Sequence, residues 1–149
     1  MVIAIDLNDI EPIEGATIFS RSDFTSLEVQ KQVFQKLNNK KADVVLSDMA
    51  PNAGVSKTFD HESIVKLVLS AFTFARIVLR EQGTFLCKIW SGSQQTQLIN
   101  TFGQHFERTQ IVKPKASREE SAEVYILCRN FSKVKRKAPE AAAVNDVTT

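Results

Sequence analysis

The segment Asp43-Val44-Val45-Leu46-Ser47-Asp48-Met49-Ala50-Pro51-Asn52 does most to limit what this chain can fold into. Its β-branched, apolar run reads as a buried strand that delivers a carboxylate and then breaks into a Pro/Asn turn. In open parallel sheets ligands bind beyond the carboxyl ends of the strands, so an Asp in this place stands where chemistry happens. The pattern calls for an α/β fold that displays Asp48.

The remaining sequence alternates in the same way. Val2 to Leu7 reads as a buried strand, and Ala16 to Ser20 as a second after the turn around Pro12 and Gly15. Ser26 is placed to cap a helix running to about Leu37, with Leu27, Val33, Phe34 and Leu37 on its buried face and Asn38-Asn39 stopping it. A long helix from about His61 to Arg80 carries Ile64, Val68, Ala71, Phe72, Ala75, Val78 and Leu79 at helical spacing, and Gln82-Gly83 ends it. Strand Thr84 to Trp90, a helix from Ser93 to Phe106, strand Thr109 to Lys113 and strand Ala122 to Phe131 complete a layered α/β sheet.

With 149 residues, 43% hydrophobic and 24% charged, the chain has room for one packed core. A net charge of +2 neither identifies a nucleic-acid partner nor repels one. Cys87 and Cys128 sit inside apolar runs without metal or redox spacing and read as buried strand thiols, and no metal site is expected. The opening Met1 to Asp6 lacks a signal-peptide pattern, and the apolar stretch from Ile64 to Leu79 is interrupted by Lys66 and Arg76, so no membrane span is expected. From 132 to 149 the sequence turns basic, with Lys133, Lys135, Arg136 and Lys137, then Ala-rich, and is expected to be a disordered tail, either solvated or touching RNA phosphates.

Three ordered motifs carry a family resemblance: Ser47-Asp48-Met49-Ala50-Pro51-Asn52, Phe85-Leu86-Cys87-Lys88, and Lys113 to Arg118 followed by Ser121-Ala122-Glu123-Val124-Tyr125. From about Val2 to Phe131 the chain resembles the FtsJ (RrmJ) family of S-adenosylmethionine-dependent ribose 2′-O-methyltransferases, most of all the branch acting on large-subunit ribosomal RNA, with its mitochondrial members. The resemblance implies a Rossmann-like sheet with helices on both faces, occupying residues 1–131. Of the family's Lys-Asp-Lys-Glu catalytic set it matches Asp48, Lys88 and Glu123. It further implies S-adenosylmethionine contacts at Asp6, for the ribose hydroxyls, at Asp23 and Phe24, beside the adenine, and at Asp48 and Pro51 in the loop to Gly54. Ribosomal RNA or a pre-ribosomal particle is the implied partner, reached by Lys113, Lys115 and Arg118 unless these form only a solvated turn. The branch implies a mitochondrial location, with the cytoplasm or nucleolus as the alternative.

The chemistry fits these residue types. A ribose hydroxyl is a poor nucleophile until its proton is removed or directed away, while a sulfonium methyl needs only in-line placement. Lys88 is the candidate proton acceptor, yet two nearby carboxylates favour its charged form, so it acts either as base or as an ammonium orienting the hydroxyl oxygen. Each residue also has a plainer reading: strand-end carboxylates cap turns, and strand lysines snorkel.

The family's first lysine, first strand and Gly-rich cofactor turn have no counterpart within 1–149. In the resembling fold that strand lies between Val2 to Leu7 and Asp43 to Asp48, so both strands are expected to lack a partner on one edge. The chain therefore reads as N-terminally truncated, with little activity alone. Micromolar S-adenosylmethionine binding measured by calorimetry would oppose this expectation. The alternatives are a noncatalytic RNA-binding or ribosome-assembly factor on the same fold and, more distantly, a nicotinamide enzyme, for which no G-x-G-x-x-G is present.

Overall fold

The computed structural model describes residues 1–51, 57–92, 94–114 and 121–135, which fall into two units, Met1–Ala42 and the residues from Asp43 onward. In the first unit, β1 (Val2–Ile5) and β2 (Ala16–Phe19) pair in parallel, with Val2 opposite Ala16 and Ile5 opposite Phe19. An irregular connection links them, turning at Gly15 (φ +80°) and anchored where the Ile10 amide donates to Ser20 Oγ at 3.0 Å. Helix α1 (Leu27–Leu37) follows and ends, as its Asn pair predicts, with Asn38 and Asn39 both left-handed.

Three expectations for this unit need correction. Ser26 precedes α1 but makes no side-chain cap. Only Val33 and Leu37 are buried on that helix, while Leu27 (81% exposed) and Phe34 lie open, because the apolar stripe is wider than the surface covering it. Strand β1 is not buried either; Val2 is exposed and Ile3, Ala4 and Ile5 are half-buried, since β2 is its one described strand partner.

The second unit holds a four-stranded sheet in the order β3-β4-β6-β5, built from β3 (Ala42–Ser47), β4 (Leu79–Trp90), β5 (Phe106–Val112) and β6 (Glu123–Phe131). Strand β6 runs antiparallel to both β4 and β5. Helices α2 (Lys57–Val78) and α3 (Gln95–Gly103) lie against one face of it, since Phe85 of β4 meets both Phe72 of α2 (6.0 Å) and Phe102 of α3 (5.7 Å). Phe72 and Phe102 stand 4.5 Å apart, and Phe106 and Phe131 extend the cluster. Ring pairs of this kind add about 0.5–1.5 kcal/mol each beyond the apolar area they bury. Left-handed Asn130 (φ 60°) resets the strand alternation, so both Cys128 and Phe131 face this core.

The element boundaries also move. Helix α2 starts before His61 and gives way to β4 at Leu79, and left-handed Gln82 (φ 62°) makes the bend. Gly83 is needed for space instead: a Cβ there would lie 2.9 Å from the Arg80 carbonyl oxygen and 3.3 Å from that of Asp43. Strand β5 begins at Phe106, earlier than Thr109, because Phe106 joins the aromatic core. The expected buried strand at Asp43 to Asp48 is open: Val44 is 50% and Leu46 70% exposed, for β3 is the terminal strand of its sheet, with β4 its one strand partner among the described residues.

Cys87 and Cys128 are free, buried thiols, as their apolar context predicts. The sequence from 132 is tied down at first, with the Ser132 amide donating to the His105 carbonyl (2.8 Å) and the Lys133 amide to Glu81 Oε1 (3.1 Å). The basic run beyond Lys135 lies outside the described residues. No described helix is long and apolar enough to cross a membrane.

Candidate active site

Asp48 follows directly on β3 and is exposed, and the chain then runs through half-buried Met49 to half-buried Pro51. Asn52, Ala53 and Gly54 of the expected channel loop lie outside the described residues. Lys88 sits two residues before the end of β4, opposite Tyr125 of β6, while Glu123 opens β6 opposite Trp90. The two are therefore diagonal neighbours on one sheet face, within reach of long side chains. Lys88 Nζ lies 3.6 Å from Glu123 Oε1, with side-chain exposures of 14% and 45% respectively. A mostly shielded ammonium thus meets a half-open carboxylate. The described ion pairs do not include Asp48.

The backbone around Glu123 is closely held. The Ser91 amide, just past β4, donates to the Ala122 carbonyl at 2.8 Å, and the Glu123 amide donates to Ser121 Oγ at 3.2 Å. Lys113, one residue beyond β5, donates from Nζ to the Ser121 carbonyl oxygen at 3.2 Å. Of the three cations expected to face RNA, Lys113 has this contact, and Lys115 and Arg118 lie outside the described residues.

The first unit brings its own carboxylates to the ends of its parallel strands. Asp6 follows β1, and its Oδ1 accepts from the Asn8 amide (2.8 Å) and from Asn8 Nδ2 (3.1 Å). Asp23 is exposed beyond β2, and its Oδ1 accepts from the Thr25 amide (2.8 Å) and from Thr25 Oγ1 (2.7 Å), which together hold its carboxyl below the usual range. In each case one oxygen is tied by the residue two positions on, which orients the carboxylate, and no hydrogen bond to Oδ2 is seen among the described residues. Half-buried Phe24 follows, its carbonyl accepting from Gln30 Nε2 at 3.0 Å. Carboxylates with one oxygen tied locally can accept from a nucleoside, whose ribose diol and amino group are donors.

The braces on Glu123 carry no sequence signal. Ser91 and Ala122 act through backbone atoms, and Lys113, in a run of charged residues, has the look of an outward-facing cation. The mostly shielded placement of Lys88 follows from the β4–β6 pairing and from no local pattern.

A family model described as FtsJ-like methyltransferase matches residues 1–131. The chain is 41% identical over 133 residues to "rRNA methyltransferase 2, mitochondrial" of Caenorhabditis elegans, covering 87% of this chain and 62% of that protein. It is 41% identical over 126 residues to "Ribosomal RNA large subunit methyltransferase E" of Leptothrix cholodnii, covering 85% and 54%. The chain therefore spans less than two thirds of either relative. A crystal structure described as a ribosomal RNA methyltransferase from Plasmodium falciparum superposes with a TM-score of 0.77 at 27% identity, over 91% of this chain and 73% of that one.

Proposed function

The chain belongs to the FtsJ-like methyltransferase family, and on that premise we propose that its domain transfers methyl groups from S-adenosylmethionine to a ribose 2′-hydroxyl of large-subunit ribosomal RNA. The observation that carries this reading is the Lys88–Glu123 pair, a shielded ammonium aimed by a carboxylate across two strands. The names of the worm and bacterial relatives support ribosomal RNA as substrate, and those of the worm and fly relatives support a mitochondrial setting.

S-adenosylmethionine, when bound, supplies an activated sulfonium methyl. By the family resemblance, Asp6, Asp23 and Phe24 would hold its nucleoside, and Asp48 and Pro51 would serve the transfer end. Lys88 places the hydroxyl oxygen, either by donating to it as an ammonium or by taking its proton once neutral. Glu123 fixes the direction of Nζ, and Asp48 completes the charge set. Positioned proton transfer of this kind contributes about 10²- to 10⁴-fold in rate.

The test is incubation with methyl-labelled S-adenosylmethionine and large-subunit ribosomal RNA. Label in alkali-resistant dinucleotides, lost in Lys88→Ala, supports the reading. Label on a base opposes it, and RNA binding with no label at all points to an assembly factor.

A further inference from the structure

We propose that Lys113 is a positioning residue for the Lys88–Glu123 pair, acting through the backbone at the mouth of β6. The inference rests on the catalytic reading of that pair. Lys113 stands where β5 ends, and Pro114 next to it has no amide to continue the ladder. From there its ammonium spans the chain and donates to the Ser121 carbonyl at 3.2 Å. The same serine's hydroxyl accepts the Glu123 amide at 3.2 Å, and the residue between them, Ala122, accepts the Ser91 amide at 2.8 Å. Ser121 is therefore held by Lys113 on one side and holds Glu123 on the other, whose carboxylate lies 3.6 Å from Lys88 Nζ.

Each contact limits a different freedom. The Ser91 bond fixes the strand edge, and the Ser121 hydroxyl fixes the Glu123 amide. The Lys113 bond ties the residue just past β5 to Ser121, two positions before the first residue of β6. Holding the backbone of a half-exposed glutamate fixes where its side chain starts and so narrows the positions that its carboxylate reaches. Lys113 contributes a charged donor to that backbone, across 3.2 Å at an exposed position. Lys113 is thus a clasp at the surface, with one of its three donors given to the chain's own carbonyl.

The test is a zero-length carbodiimide cross-link between Lys88 and Glu123, quantified by mass spectrometry, in wild type, Lys113→Met and Lys113→Arg. Lys113→Met is expected to lower the yield roughly threefold, within what the loss of one hydrogen bond allows. Lys113→Arg, which keeps a charged donor, restores it, and unchanged thermal unfolding shows that the variants fold. In the methyl-transfer assay Lys113→Met lowers kcat and leaves KM for RNA in place. An unchanged cross-link overturns the proposal, most clearly if Lys113→Met also weakens oligoribonucleotide binding and lowers its salt dependence by about one counterion. The cross-link needs no turnover, so it reports on Lys113 even where the methyl-transfer reading fails.

Discussion

Lys88 of β4 and Glu123 of β6 meet diagonally across two antiparallel strands, with Nζ 3.6 Å from Oε1. Replacing Lys88 with Met keeps the stem that packs on the sheet and removes the charge. The expected result is a fall in kcat of about 10²- to 10⁴-fold, with S-adenosylmethionine affinity unchanged. Steady-state kinetics and calorimetry on the same variant check both parts.

Glu123→Gln leaves a shielded ammonium without its counter-charge. Because Glu123 is 45% exposed, solvent screens the pair, and the expected loss of stability is only about 1 kcal/mol. Denaturant unfolding of wild type and variant measures it.

His105 is buried, with Nδ1 lacking a hydrogen-bond partner among the described residues, and its ring lies between Phe72 (5.9 Å) and Phe131 (6.5 Å). Burial holds its imidazole below the usual range, and the charges of Arg76 and Lys135 act in the same direction, against a smaller opposing effect from Ser132. The unfolded chain, where His titrates near about 6.5, then binds the proton more readily than the fold. The stability His105 contributes is full above that pH and declines as pH falls toward the lowered folded value. His105→Leu is expected to flatten this part of a stability profile taken between pH 7.5 and 5.

The Cys87 thiol is pushed up to about 12 by burial, and burial raises that of Cys128 as well. Both are therefore protonated at neutral pH and shielded from reagents. A chromogenic disulfide reagent at pH 8 is expected to leave both unmodified in the native protein and to titrate both in denaturant. Rapid native labelling would contradict this.

Gly83→Ala forces a methyl to within 2.9 Å of the Arg80 carbonyl oxygen and 3.3 Å of that of Asp43. Backbone atoms cannot yield as a flexible side chain does, so a loss of about 1–3 kcal/mol is expected in denaturant unfolding.

Local patterns in the sequence identify the alternation of helices and strands, the Asn38-Asn39 stop, the buried thiols and the carboxylate displayed after β3. Where they mislead, the physical origin is shared: burial depends on what lies alongside, and an apolar run does not state its neighbours. Val44 and Leu46 have the composition of an interior strand and lie open at a sheet edge, and Leu27 does the same on α1. The Lys88–Glu123 pairing needs the β4–β6 register, which joins residues 35 positions apart in the sequence and leaves no local trace. The family resemblance supplies that pair, and the strand register gives it geometry.

The most direct measurement is a map of ribose methylation on ribosomal RNA, read by resistance to alkaline cleavage, from cells whose own gene carries Lys88→Ala. The expected result is that one 2′-O-methyl mark disappears from large-subunit ribosomal RNA, mitochondrial by the relatives' names, while base methylation is unchanged. A full set of 2′-O-methyl marks in those cells would contradict a methyl-transfer role for Lys88.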